Sequence, residues 1–265
     1  MTELYRLADL AGVPQAFALV AFRLMGLMVV APMLGSGRIP RMVKMYLAVS
    51  MALCLASAGN LPVPEVMPDS PWLMALGLLG EIAFGLVAGM LLSVAFYAAR
   101  WAGGVAGQQM GFNMAGALNP GADIGGNPLG DALFVLTLFV FLSLDGHLEM
   151  IMGIRQSFDH VPPLAFAVSP DTLDLLTGAL ASSVALALRI AAPVCVSMLV
   201  VDLSLGMLGK TIPALNLLSV GLSLRAGIGM CVVLAGMSLT GGLLADAIAE
   251  GVTLAEALWT QTPRT

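Results

Sequence analysis

The sequence predicts an all-α polytopic membrane protein. Two observations carry that prediction. Hydrophobic residues make up 59% of the 265-residue chain and charged residues only 10%, and the mean hydropathy is +0.96. A soluble domain is roughly 45–50% apolar and about 25% charged. The apolar residues also fall in continuous runs rather than in alternation. That favours spanning helices over a barrel, the two structures that satisfy their backbone hydrogen bonds in lipid. The same numbers exclude a soluble enzyme and a disordered chain. A net charge of −5 argues against nucleic acid or an anionic lipid surface as the main partner.

A spanning helix needs about 20 mostly apolar residues, and six stretches approach that length. The first runs from about Val13 to Pro32 and holds Arg23. The second runs from Met42 to Ala58. The third, Trp72 to Ala99, is long and contains Glu81. The fourth, Ala132 to Leu144, is short for a full crossing. The fifth, Thr177 to Leu208, holds Arg189, Pro193 and Asp202. The sixth, Leu215 to Leu244, holds Arg225.

Breaker signals separate these segments. Gly35, Gly37 and Pro40 follow the first, Pro62, Pro64, Pro68 and Pro71 the second, and Val161-Pro162-Pro163 the fourth. No connector is long enough to hold a core of its own. A single membrane domain is therefore expected over residues 1–265, with a Gly/Met-rich insertion at 103–130 and a C-terminal tail at 245–265. No cleavable leader is expected, because Glu3, Arg6 and Asp9 interrupt the N-terminus. Arg38, Arg41, Lys44, Arg100 and Lys210 fall in one set of loops. Asp145, Glu149, Asp159, Asp171, Asp174, Asp246, Glu250 and Glu256 fall in the other. Conventional threading by basic residues then places both termini outside.

The stretch Gly103 to Gly130 is not an ordinary loop. It mixes Met110, Phe112, Met114 and Leu118 with Gln108, Gln109, Asn113 and Asn119, and glycine recurs throughout. Glycine permits tight turns and methionine fills irregular gaps. Surface loops seldom carry so much apolar side chain, so a pliable segment lining a cavity is the better reading. No GxxxxGK[ST] occurs in it, and a nucleotide site is not expected.

Arg23, Glu81, Arg189, Asp202 and Arg225 lie inside apolar segments, where a charge facing lipid is costly. Pairing, within the chain or between subunits, is expected rather than a proton relay, which would cluster carboxylates or histidines. Cys54, Cys195 and Cys231 are far apart, and His147 and His160 show no HExxH spacing. No metal, cofactor or redox site is expected. No GxSxG or Ser/His/Asp grouping points to a hydrolase. Gly85 and Gly89 form a GxxxG, which shows that helices meet without saying which.

Four stretches carry a family resemblance. They are Ile39-Pro40-Arg41-Met42-Val43-Lys44; Gly103 to Pro120, centred on Gly107-Gln108-Gln109-Met110-Gly111-Phe112; Asp145-Gly146-His147 with Ser157-Phe158 and Val161-Pro162; and Leu205 to Lys210 with Pro213, Leu215 and Asn216. In this order and spacing they resemble FliR, the export-gate membrane protein of the flagellar type III secretion system. The match covers roughly Phe17 to Leu244. Asn119-Pro120 stands where the family usually shows Asp-Pro. Asp145 and Asp202 stand where Asn is common, and Lys210 where Arg is common. The injectisome relatives, the SctT-type proteins, differ around the Gln-Met-Gly stretch, which favours a flagellar member.

The resemblance implies a non-enzymatic subunit of the inner membrane and flagellar basal body. One copy joins several copies of FliP and FliQ, beside FlhA, FlhB and the basal-body ring, to pass unfolded export substrates. It implies bent helical hairpins resembling a fusion of FliP and FliQ, much of the assembly lying above the bilayer. The flat six-span threading then stands only as a hydropathy statement. Gly107, Gln108, Gln109, Met110, Gly111, Phe112, Asn113, Met114, Asn119 and Pro120 would correspond to the channel plug. Arg23, Glu81, Arg189, Asp202 and Arg225 would serve pairing between subunits. The runner-up is a self-sufficient secondary transporter or channel; a transporter would need a midplane site and usually an internal repeat.

Overall fold

The protein is described here from a computed structural model, over residues 17–32, 40–57, 70–112, 126–211 and 217–260. Nine helices lie among the described residues. They are α1 (Phe17–Val30), α2 (Arg41–Ser57), α3 (Pro71–Leu92), α4 (Val94–Gln109) and α5 (Pro128–Ser143), then α6 (Gly146–His160), α7 (Pro170–Thr211), α8 (Leu217–Ala235) and α9 (Met237–Thr260). The all-α polytopic prediction holds. Two helices, α3 and α7, are long and apolar enough to cross a membrane. The count rises to four if the broken pairs α5–α6 and α8–α9 each make one span, while α1 and α2 are shorter apolar helices.

The six expected segments are mainly helical where described, with breaks at Ser93 and Gly236 and non-helical ends at Ala31, Pro32 and Leu144, but α6 was not among them. The stretch expected as a tail from residue 245 is helical as far as Thr260. The described residues divide into two compact units. One draws on the described residues within 1–93, 145–179 and 249–265, the other on those within 94–144 and 180–248.

In the first unit α1 and α3 meet backbone to backbone. A Cβ on Gly85 would sit 2.7 Å from the Leu27 nitrogen and still nearer the Arg23 carbonyl oxygen. A Cβ on Gly26 would strike the Ile82 carbonyl, and one on Gly89 would lie 3.1 Å from the Leu27 carbonyl oxygen. The GxxxG of α3 therefore receives α1, because only glycine lets two helix backbones approach this closely. Leu19, Leu24, Leu27, Phe84 and Leu91 fill the core alongside. Helix α3 starts on Pro71, whose missing N–H is harmless in a first turn. It ends at Ser93, whose hydroxyl donates to the carbonyls of Gly89 (2.6 Å) and Val30 (2.9 Å).

Helix α6 follows Asp145, which takes a left-handed conformation at φ 55°, one that aspartate tolerates better than most residues. Its buried face is Met150, Ile154, Ser157 and Phe158, a helical period with polar residues opposite.

In the second unit α4 presents a face of small residues. Ala95, Ala98, Ala99, Ala102 and Ala106 are buried at the spacing of one helix side. Phe96 fixes α5 with edge-on contacts to Phe134 and Phe141, both at 5.5 Å between ring centroids. Helix α7 carries Pro193 in its interior, which removes one helical hydrogen bond. Helices α8 and α9 meet at a bend of 58° around Gly236.

Candidate functional site

The centre of the Gly/Met-rich stretch begins as the last turn of α4. Gln108 and Gln109 are exposed on that turn. Gly111 has φ 84°. The Phe112 N–H donates to the Gly107 carbonyl at 3.0 Å, and the Gly111 N–H to the Gln108 carbonyl at 3.1 Å. This is a Schellman cap, in which a left-handed glycine closes the helix and satisfies its orphan carbonyls. The usual apolar contact is present too, since the Phe112 ring lies over Gly107, where a Cβ would be 3.6 Å from Cδ2.

Met110 is not a free tip. It is 1% exposed and packs among Ala106, Leu129, Val194, Met198 and Val201. Its Sδ and Cε lie 2.8 Å from where a Gly229 Cβ would be, so α8 makes room for it with a glycine. Asn113, Met114, Asn119 and Pro120, the other expected plug residues, lie outside the described residues.

The far end of the stretch is anchored by Asn127. Its Oδ1 accepts the Gly130 N–H at 2.9 Å, capping α5, and its Nδ2 donates to the Arg100 carbonyl of α4 at 3.1 Å. Gly103 and Gly130 bring α4 and α5 into backbone contact there, and Arg100 pairs with Asp131 at 3.0 Å on the surface.

The five charges inside apolar segments separate into three cases. Arg23 and Glu81 meet in the first unit, Nε to Oε2 at 2.6 Å, both at 0% exposure. Arg23 also donates to Ser157 Oγ at 2.9 Å and to the Val161 carbonyl at 3.4 Å. Its guanidinium carbon lies 4.4 Å from the Phe84 ring centroid and 3.9 Å from that of Phe158. Glu81 Oε1 accepts the Leu164 N–H at 2.8 Å. Pairing between subunits is the expectation for these two residues, and in this structure they pair with each other within one chain. At zero exposure neither side chain reaches a neighbour.

Arg225 and Asp202 pair in the second unit at 2.7 Å, at 35% and 46% exposure, and the buried Nε of Arg225 has no partner among the described residues. Arg189 is exposed and has no ionic partner among the described residues. Among the described residues no three His, Cys, Asp or Glu side chains converge where a metal would sit.

Residues 15–251 match the family model described as bacterial export proteins, family 1. The chain belongs to this export-protein family. It is similar to the flagellar biosynthetic protein FliR of Escherichia coli, with 29% identity over 239 residues, 86% of this chain and 90% of that protein. It is similar to FliR of Bacillus subtilis, with 26% identity over 226 residues, 84% of this chain and 86% of that protein. Yop proteins translocation protein T of Yersinia pestis is 30% identical over 183 residues, 68% of this chain and 69% of that protein.

Three features of this export protein were not singled out from its sequence. Ser157, Phe84, Phe158 and Leu164 complete the Arg23 cluster; Ser157-Phe158 was noted only as part of the family pattern, and nothing in the linear order links it to Arg23, 134 positions away. The Gly103–Gly130 contact was equally hidden. The Asn127 cap was readable, because Asn127-Pro128 is an N-cap residue followed by proline at the first helical position.

Proposed function

We propose that the chain is a subunit of the flagellar protein-export gate in the bacterial inner membrane, at the basal body. One copy joins several of FliP and FliQ, beside FlhB and FlhA, and the assembly passes unfolded flagellar subunits. The observation that carries this reading, besides family membership, is helix α7. Its 42 residues have a contour of about 63 Å, against a hydrocarbon core of about 30 Å. Burying that length in lipid alone would need a tilt of about 60°, beyond the usual 0–40°. Yet exposed apolar side chains run along it, from Leu173 through Leu188 and Leu199 to Met207. Lipid cannot cover all of that stripe. Packed helices of neighbouring subunits can.

The same assembly accounts for Arg189, an exposed cation on an apolar helix, which pairs with a carboxylate of a neighbouring subunit. The half-exposed Asp202–Arg225 pair lies at a subunit boundary. The stretch Gly107 to Pro120 closes the channel at rest. Its near end is held by the Gly111 cap and the buried Met110, and the residues beyond Phe112 yield to substrate.

Native mass spectrometry of the tagged chain, co-expressed with its genomic neighbours, tests the reading. The expected species holds one copy of this chain and several of two smaller membrane proteins. A stable monomer that ignores those neighbours sinks it and turns attention to transport assays on Arg189, Asp202 and Arg225. Deleting Asn113 to Ala117, which spares Met110 and the Gly111 cap, raises ion leakage through the assembled complex. Unchanged conductance in an intact complex removes the plug role.

A further inference from the structure

The first unit contains a second feature that the export reading does not use. A cavity of about 200 Å³ opens between α1, α3, α6 and α9. Leu27, Leu92 and Ile154 form its floor and Trp259 one wall. Gly153 shapes that wall, because a Cβ there would lie 3.1 Å from the Trp259 ring. A dry apolar cavity of about 150 Å³ holds a benzene molecule, so this one has room for a single large apolar side chain. Methionine lines it at Met150 and Met152, which lets the wall repack around different shapes.

Its rim is acidic. Glu149 and Glu256 both line the opening, and both are exposed. Neither carboxylate has an ion-pair partner among the described residues. Two unpaired carboxylates over an apolar hole repel an anionic lipid headgroup and attract a cation held beside an apolar anchor.

The geometry points to this cavity as a docking site for a protein segment that carries a Phe or Leu anchor with a neighbouring Lys or Arg. The anchor fills the hole and excludes water, as buried anchors do at interface centres. The cation settles between Glu149 and Glu256 and fixes the orientation. This follows from the cavity alone and does not depend on the export reading.

The test uses the full-length chain carrying W72F and W101F, which leaves Trp259 as its indole. The variant is placed in phosphatidylcholine nanodiscs. N-acetyl-phenylalanyl-arginine amide is titrated against Trp259 fluorescence, with N-acetyl-phenylalanyl-glutamate amide as the charge-reversed control. A saturable, salt-sensitive change with the arginine probe alone is expected. E149Q together with E256Q, both at exposed positions and harmless to packing, should weaken it about tenfold, the loss of two rim ion pairs. Equal responses to the two probes, no response, or a response indifferent to the Gln substitutions overturns the proposal. A spectrum that follows added phosphatidylglycerol instead makes the cavity a lipid site. One that follows chain concentration makes it a contact between copies. Either outcome also overturns the proposal.

Discussion

Replacing Arg23 by Met should strand a buried charge. Arg23 and Glu81 are both at 0% exposure, and Glu81 keeps only the Leu164 N–H once the guanidinium is gone. Removing one partner of a buried pair typically costs about 3–5 kcal/mol, because the remaining charge is desolvated without compensation. The substitution also strips the donors to Ser157 and Val161 and the cation held between Phe84 and Phe158. At roughly 2–4 °C per kcal/mol for a chain of this size class, the melting temperature should fall by roughly 6–20 °C. The assay is thermal unfolding of the detergent-solubilised chain, followed by far-UV circular dichroism. The decisive variant is R23M with E81L, which removes both charges and keeps apolar bulk. Such replacements are often neutral or better, so the double variant should recover most of the loss. If it melts as low as R23M, the pair is not the source of the cost, and the reasoning fails.

Other perturbations separate the remaining contacts. Gly85→Ala should destabilise the first unit by about 1–3 kcal/mol, the usual cost of overpacking, because its Cβ meets the Arg23 and Leu27 backbone; limited proteolysis should then release α1 early. Gly111→Ala should cost about 1–2 kcal/mol for a left-handed alanine, and Gly111→Asn less; both are read in the same melt, and equal costs would count against the cap. Asn127→Ala should lose the α5 cap and the Arg100 contact, about 0.5–2 kcal/mol, with faster hydrogen exchange in the first turn of α5. Arg189→Ala should leave the melt of the isolated chain unchanged but weaken assembly with neighbouring subunits, seen as fewer intact complexes in native mass spectrometry.

Hydropathy located the helices that lipid or partners can hide, because those residues are apolar on every side. It failed at α6. Asp145, Glu149 and Asp159 sort that stretch into the acidic loops, yet Met150, Ile154, Ser157 and Phe158 repeat at a helical period. A mean over the window hides that pattern, and periodicity would have found it. Arg23 and Glu81 were expected to need partners, and in this structure they pair with each other. Their partner was not legible, because the two residues stand 58 positions apart and a pair within the chain reads the same as a pair between chains. The glycines of Gly107-Gln108-Gln109-Met110-Gly111-Phe112 were read as flexibility. In the structure Gly111 caps a helix, and Met110 is core. Composition is similar for a hinge and for a cap, and only backbone conformation separates them.

The Arg23 cluster also bears on how the chain is made. Helix α1 precedes α3 and α6 in the chain and carries an arginine in the middle of its described residues, Phe17–Val30. By insertion scales that arginine costs about 2.5–3.5 kcal/mol at a helix centre, so α1 is a poor independent span. Its counter-charge is synthesised 58 residues later, and the hydroxyl that completes its shell 134 residues later. Nascent α1 must therefore stay near the insertion machinery or in the interface until α3 and α6 arrive. Chains truncated before α6 should be recognised by quality-control proteases, which makes completion of the first unit a checkpoint on synthesis of the whole subunit.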